Sequence, residues 1–306
     1  MEKVFEHFNL DKSSESIYKY SPVFMSKVGD QDVVIKKTKK DNNQAERLFA
    51  WTEKLESEGI GVVRPIPFKN ETYKTIEEAN WVAYPFIHGR KYDASLKDIY
   101  DAGVMLGKIH GLKSQESMFD HGFDWEKYDN EFIGDVTEDL ESLIDSYKDD
   151  KNIESFKGLS VEIMEILDLE FEPVKADSLP YVDSTWDYKA NNLMYTDESL
   201  VLIDPDNAAS IPRIFDLGLA LILFHMEMET APARMFTVEE WEKFKEGYLS
   251  HVTITEAEKE IWNKYLIFIF MDEGLWAMSD LEDSETERQK GFIRSLLGFD
   301  PNMYKL

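Results

Sequence analysis

A small β-rich lobe followed by a larger helical lobe, an α+β arrangement, is the fold class this sequence predicts, and three observations predict it. Short runs of Val, Ile, Phe and Tyr bounded by turn residues crowd the first 86 positions. From Ser95 on, apolar residues recur at helical spacing almost throughout. The charge divides at the same place, with 13 basic and 14 acidic residues up to Phe86 and 21 against 47 beyond it. The expected division is 1–86 and 87–306, with the join near Phe86–Gly89 and a cleft between the lobes.

In the first lobe, Tyr18–Tyr20, Val23–Val28 and Asp32–Lys37 read as strands, and Val28-Gly29-Asp30-Gln31 between the last two reads as a hairpin turn. Asp41 to Glu58 turns helical, with Ala45, Leu48, Phe49, Thr52 and Leu55 on one face and Gly59 as a stop. Val62–Pro67 is extended, because each Pro pushes its predecessor out of helical space. Thr72–Ile76 and Trp81–Ile87 supply two further strands. In the second lobe the helices are Leu96–Leu112, Glu138–Tyr147, Ile153–Leu167, Val238–Leu249, Thr255–Met278 and Glu285–Leu297. One island, Pro180 to Asp216, breaks the pattern with short β-like pieces at Leu193–Tyr195 and Leu200–Ile203 and a dense set of Asp and Asn.

Composition excludes several classes. The 306 residues carry a net charge of −27, which argues against nucleic acid, since phosphate backbones are held by Lys and Arg. Cysteine is absent, so disulfides, thiolate zinc sites and a cysteine nucleophile are excluded. The N-terminus shows no apolar signal region. The longest greasy run, Ile214 to Phe224, is too short for a bilayer and is interrupted by Asp216. A cytoplasmic protein without membrane partners is the expectation, and the acidic second lobe reads either as a solubilising surface or as one that attracts a cationic small-molecule substrate.

The island is where the sequence becomes specific. It reads Trp186-Asp187-Tyr-Lys-Ala-Asn-Asn192, then Ile203-Asp204-Pro-Asp206. A loop Asp, an amide five residues on, a short strand pair and an Asp closing an apolar strand can set one carboxylate beside a hydroxyl nucleophile. The amide oxygen and the second carboxylate can then meet a hard cation such as Mg²⁺. Upstream, Val33-Val34-Ile35-Lys36 ends an apolar strand on a Lys, with Lys37 as the neighbouring register, and Glu46 follows early in the helix as a possible partner for its ammonium. Trp81 to Gly89 is a strand running into a turn. Pro85 lacks an N–H but keeps its carbonyl, so Pro85 C=O and Ile87 N–H could read an adenine edge.

Other motifs fail on spacing. Gly103-Val-Met-Leu-Gly107-Lys108 has three residues between its glycines, where a P-loop needs four. Asp204-Pro-Asp206-Asn207 starts like a calcium loop but has Ala209 and Phe215 where that loop needs Gly and Glu. No H-E-x-x-H or G-x-S-x-G occurs. His110, His225 and the Met residues after His225 read as packing or surface residues.

Taken together, Val-Val-Ile-Lys36, Glu46, Tyr84-Pro-Phe-Ile-His-Gly89, Leu106-Gly-Lys-Ile-His110, the Asp187–Asn192 loop, Ile-Asp204-Pro-Asp206 and Phe215-Asp216-Leu-Gly-Leu-Ala220 resemble the aminoglycoside phosphotransferase / choline kinase-like superfamily over nearly the whole chain. The resemblance implies a protein-kinase-like bilobal fold and transfer of the γ-phosphoryl group of ATP, or GTP, to a small-molecule hydroxyl. It implies Asp187 as catalytic base or orienter, Asn192 and Asp204 as Mg²⁺ ligands, and Asp216 as a buttress of the catalytic loop. It also makes an aminoglycoside-like acceptor, with a role in antibiotic resistance, one of its consequences. The sequence departs from the family in two places. Thr185 stands where a His usually precedes the loop Asp, and no Gly-rich loop precedes Val23. Thr185 therefore keeps open a nucleotide-binding protein without transferase activity; an acidic interaction protein is the third reading. For the acceptor, Asp206, Asp272, Glu273 and Trp276, with Asp280 nearby, offer carboxylates and an aromatic wall suited to a cation.

Overall fold

Strands β1 (Val23–Val28) and β2 (Gln31–Thr38) pair antiparallel across the two-residue turn Gly29–Asp30, with Val28 opposite Gln31 and Val23 opposite Lys36. Gly29 takes a φ of 62°, a left-handed conformation that costs glycine little. The computed structural model describes residues 1–11, 15–18, 21–38, 40–112, 117–120, 129–168, 179–279 and 287–306. The sequence-expected strand at Tyr18–Tyr20 and the residues Asp280, Glu285 and Thr286 fall wholly or partly outside these.

Strands β3 (Tyr73–Ile76) and β4 (Ala79–Pro85) complete an antiparallel sheet of order β1-β2-β4-β3. Period-two alternation sends Val33 and Ile35 to one face, where they join Phe24, Trp81, Ala83 and residues Val4 and Phe8 from the N-terminal helix α1 (Glu2–His7) in a separate core. Val34, Lys36 and Thr38 therefore face the other way, toward the second lobe.

Helix α2 (Asn42–Ser57) starts at a reciprocal cap between Asp41 and Gln44. Its buried stripe is Ala45, Leu48, Trp51, Thr52 and Leu55. Leu48, Trp51 and Leu55 belong to the large core of the helical lobe, so α2 leans away from the sheet's own core. Extended backbone after it docks on the second lobe, where Val63 N–H donates to the Leu202 carbonyl at 2.9 Å.

The helical lobe opens with α3 (Leu96–His110), which crosses α7 (Val238–Leu249) at close range. A Cβ at Gly103 would stand 2.0 Å from the Phe244 carbonyl oxygen, and one at Gly247 would stand 2.2 Å from that of Tyr100. The glycines that fail as a P-loop thus serve helix packing. Helices α4 (Asn130–Ser146) and α5 (Ile153–Asp168) follow; α4 is longer than the Glu138–Tyr147 reading because Asp129 caps it eight residues upstream of Thr137.

The island folds as β5 (Tyr181–Ser184), a 3₁₀ turn (Ala190–Asn192), the hairpin β6 (Leu193–Tyr195) and β7 (Leu200–Leu202), and β8 (Ala209–Pro212), which pairs with β5. Helix α6 (Arg213–Leu223) follows β8 directly and is buried throughout, which is why its sequence is apolar on every face. The expected helix Thr255–Met278 is three pieces. These are α8 (Glu256–Ile269), a π-turn (Phe270–Gly274) and α9 (Leu275–Ser279), with α10 (Glu287–Leu296) beyond. Among the described residues no helix is long and apolar enough to cross a membrane.

Candidate active site

The two lobes meet along a ladder of alternate residues. Lys36 Nζ contacts Asp204 Oδ1 at 2.7 Å, Thr38 Oγ1 donates to Asp206 Oδ1 at 2.6 Å, and Lys40 Nζ donates to the Ala208 carbonyl at 3.0 Å. The period of β2 dictates this, because residues two apart share a face. Lys36 is the register that faces the cleft, and its side chain is only 13% exposed. Its ammonium is held by Asp204. Glu46, expected as its partner, is exposed and forms no ion pair among the described residues. The reason is the tilt of α2: Leu48 turns into the helical core, and Glu46, about 200° round the axis from it, turns out. Asp206, expected near an acceptor, is 6% exposed and bonded to Thr38, so it sits in the lobe seam.

Asp187 lies on the loop between β5 and the 3₁₀ turn. Its backbone N–H donates to Thr185 Oγ1 at 3.4 Å, and Thr185 is fully buried. Asn192 Nδ2 donates to the Asp187 carbonyl at 2.9 Å and to Oδ2 at 3.2 Å, while Asn207 Nδ2 reaches the same Oδ2 at 3.2 Å. Lys189 Nζ contacts Oδ1 at 3.0 Å. Burial pushes the Asp187 carboxyl above the usual carboxylate range, and the Lys189 charge opposes that shift. Burial also works against the Lys189 ammonium, but Asp187 and Glu227 outweigh it and raise its pKa.

Asn192 spends its Nδ2 on Asp187, which leaves the amide oxygen as its free hard donor. Asp204 uses Oδ1 for Lys36 and for the Asp206 N–H at 3.3 Å. An amide oxygen and a carboxylate oxygen fit a small hard divalent cation that takes its remaining ligands from water and phosphate. Among the described residues no group of three or more His, Cys, Asp or Glu side chains is arranged to hold a metal.

Beneath the loop, Asp216 on α6 is fully buried and accepts from Ser184, with His110 Nε2 at 3.4 Å and 2.9 Å from the Ser184 hydroxyl. His110 Nδ1 lies 3.0 Å from the Tyr248 hydroxyl, and burial lowers its pKa. These groups tie α3, β5, α6 and α7 together under Asp187. On the sheet side, the Phe86 N–H donates to the Asp32 carbonyl at 3.0 Å. The alternation of an antiparallel ladder then makes Val33–Pro85 a non-hydrogen-bonded pair, leaving the Pro85 carbonyl out of the β2 ladder. Ile87 N–H has no hydrogen-bond partner among the described residues. Ile87, Val201 and Ile203 pack beside the buried cluster Val63, Val82 and Tyr84, an apolar lining between the end of β4 and the β7 end of the island.

Asp272 and Glu273 are neighbours within the π-turn. Burial raises the Glu273 carboxyl to about 7, and the charges of Asp272 and Asp187 add to it, so Glu273 belongs to the Asp187 neighbourhood. Asp272 is raised to about 6 by burial and by Asp135 and Asp139 of α4. Trp276, on α9, is 50% exposed. Lys189, Asn207 and Glu227 are site residues that the sequence reading missed. Lys189 lay inside the quoted loop and carried a signal by its charge alone. Glu227 was hidden in a stretch read for its methionines.

Over residues 20–251 the chain matches the phosphotransferase enzyme family, and it belongs to that family. The class is therefore a phosphotransferase-family protein with the kinase-like arrangement of a small antiparallel sheet and a helical remainder. Among solved structures it is similar to the amicoumacin kinase hAmiN in complex with AMP-PNP, Ca²⁺ and Ami (TM-score 0.66, 14% identity, 98% of this chain and 95% of that one). It is also similar to the microcompartment-associated aminopropanol kinase (0.63, 14%, 97% and 93%). A third is the spectinomycin phosphotransferase APH(9)-Ia in complex with ADP and spectinomycin (0.60, 18%, 98% and 94%). A search of curated proteins returned no match to this chain.

Proposed function

We propose that this protein transfers the γ-phosphoryl group of ATP, with GTP as the alternative donor, to a hydroxyl of a small cationic molecule. The observation that carries the reading is that Lys36 meets Asp204 while Asn192 holds Asp187, two contacts from three separate segments set next to each other by the Ile203 N–H donating to the Asn192 carbonyl at 2.8 Å. Lys36 would hold donor phosphates, Asn192 and Asp204 the divalent cation, and Asp187 the acceptor hydroxyl. The Pro85 carbonyl and Ile87 N–H would meet the base of the nucleotide. Mg²⁺, when bound, neutralises phosphate charge; the residues themselves contribute position and fixed charge, which is most of what phosphoryl transfer needs.

Thr185 supports activity. Its buried hydroxyl holds the Asp187 N–H, so the loop is braced without the family's His. Glu273, whose carboxyl burial pushes up to about 7 with the Asp272 and Asp187 charges adding to the shift, together with the half-exposed Trp276, supports an acceptor that carries an ammonium group. The relatives that phosphorylate spectinomycin, amicoumacin and aminopropanol supply the first acceptors to try. The test is an ADP-release screen with Mg·ATP and Mg·GTP against aminoglycosides, spectinomycin, amino alcohols, choline and neutral sugars. Turnover with an amine-bearing alcohol is the expected result. Failure of Mg²⁺-dependent nucleotide binding by calorimetry would end the proposal.

A further inference from the structure

Glu227 stands outside every motif used so far, in the connection between α6 and α7. Its carboxylate gathers three donors from two lobes. Lys189 Nζ lies 2.5 Å from Oε1, Asn191 Nδ2 3.4 Å from Oε2, and the Tyr18 hydroxyl 3.1 Å from Oε2. The backbone around it is fixed from several directions. Arg288 donates to the carbonyls of His225 at 2.8 Å, Met226 at 2.7 Å, Met228 at 2.5 Å and Ala231 at 3.3 Å. The buried His225 ring sits 2.8 Å from the Tyr92 hydroxyl and 3.1 Å from the Arg234 carbonyl. The Ala190 N–H donates to the Phe224 carbonyl at 3.0 Å, which joins this connection to the catalytic loop. A carboxylate anchored this firmly fixes whatever cation it holds.

That cation is Lys189, whose ammonium bridges Glu227 and Asp187. We propose that Glu227 is a positioning residue that holds the Lys189 ammonium beside Asp187 for the phosphoryl group in transit. The inference rests on the phosphoryl-transfer reading. In that step the acceptor oxygen forms a bond to the γ-phosphorus as the bond to the β–γ bridging oxygen breaks. The electron pair leaves on ADP, and the hydroxyl proton passes to the Asp187 carboxylate. Charge spreads over the equatorial oxygens, where a nearby cation is most effective.

The experiment uses the full chain and needs no acceptor. Calorimetry measures Mg·ADP affinity with and without aluminium fluoride, a mimic of the transferring phosphoryl group, for wild type, E227Q, K189M, K189R and the double variant E227Q/K189M. Wild type should gain affinity on adding fluoride. E227Q and K189M should bind Mg·ADP within about twofold of wild type and lose about tenfold or more of the gain, the scale of one hydrogen bond to a charged group. K189R should keep part of it. Because Glu227 acts through Lys189, the double variant should lose no more than K189M alone. Normal Mg·ADP binding by E227Q with a full fluoride-dependent gain, or losses that add in the double variant, overturns the role of Glu227 alone. Wild-type protein that fails to bind Mg·ADP overturns the phosphoryl-transfer reading as well.

Discussion

Toward β2, the carboxylates around Asp187 are matched: Asp204 has the Lys36 ammonium, Asp206 has the Thr38 hydroxyl, and neither is left to repel the other. Toward the C-terminal helices the opposite holds. Glu273 and Asp272 are half-buried near one another and near Asp187, Asp135 and Asp139, and burial and mutual repulsion lift them to about 7 and about 6. The unmatched side holds excess negative potential that a positive ligand would relieve. The comparison teaches that the surroundings of Asp187 are electrostatically uneven, with carboxylates paired toward β2 and crowded together toward the C-terminal helices.

The largest expected effect falls on the residue shared by both sides. Asp187→Ala should lower kcat by roughly 10²–10⁴-fold while Mg·ATP binding and circular dichroism stay near wild type. Unchanged turnover would remove Asp187 from the chemistry. Next comes the matched side: Asp204→Asn should weaken nucleotide affinity roughly 10–100-fold and abolish its dependence on Mg²⁺. Calorimetry with and without EDTA reads this directly.

On the unmatched side, Glu273→Gln should raise the acceptor KM several-fold with little change in kcat or in nucleotide affinity. The same carboxyl gives a stability signature. Its folded pKa of about 7 lies above the ordinary Glu value, so between those pH values the folded chain binds more protons than the unfolded one. Stability must then fall as pH rises from about 4.5 through 7. Differential scanning calorimetry should show that Glu273→Gln flattens this decline; an unaltered pH slope would break the contrast between the two sides. The smallest effect is in the seam. Thr38→Val removes one partner of a buried carboxylate and should cost about 1–2 kcal/mol in denaturant unfolding.

Much of this was legible in the sequence, and the rest failed for physical reasons. The β1–β2 hairpin and the start of α3 follow from period and turn chemistry, which are local, whereas the choice between Lys36 and Lys37 needed the register of β2. The break at Phe270–Gly274 did not show, because a π-turn inserts a residue without interrupting the apolar pattern. Asp206 and Asp204 look alike on paper, and only the ladder against β2 separates a seam residue from a cleft residue. Glu46 was misjudged because the packing partner of α2, the helical core, lies far along the chain. Glu227 depends on four carbonyls collected by an arginine sixty residues away, a tertiary fact with no sequence period.

The Lys36–Asp204 contact makes the cleft a lock with two keys. Each charge already has a mate, so an arriving ligand must offer a substitute to both at once. Free ATP would take the lysine and strand the aspartate; a bare divalent ion would do the reverse. Only their complex trades one closed pair for two, so nucleotide and metal should bind with positive cooperativity, each tightening the other by the same factor.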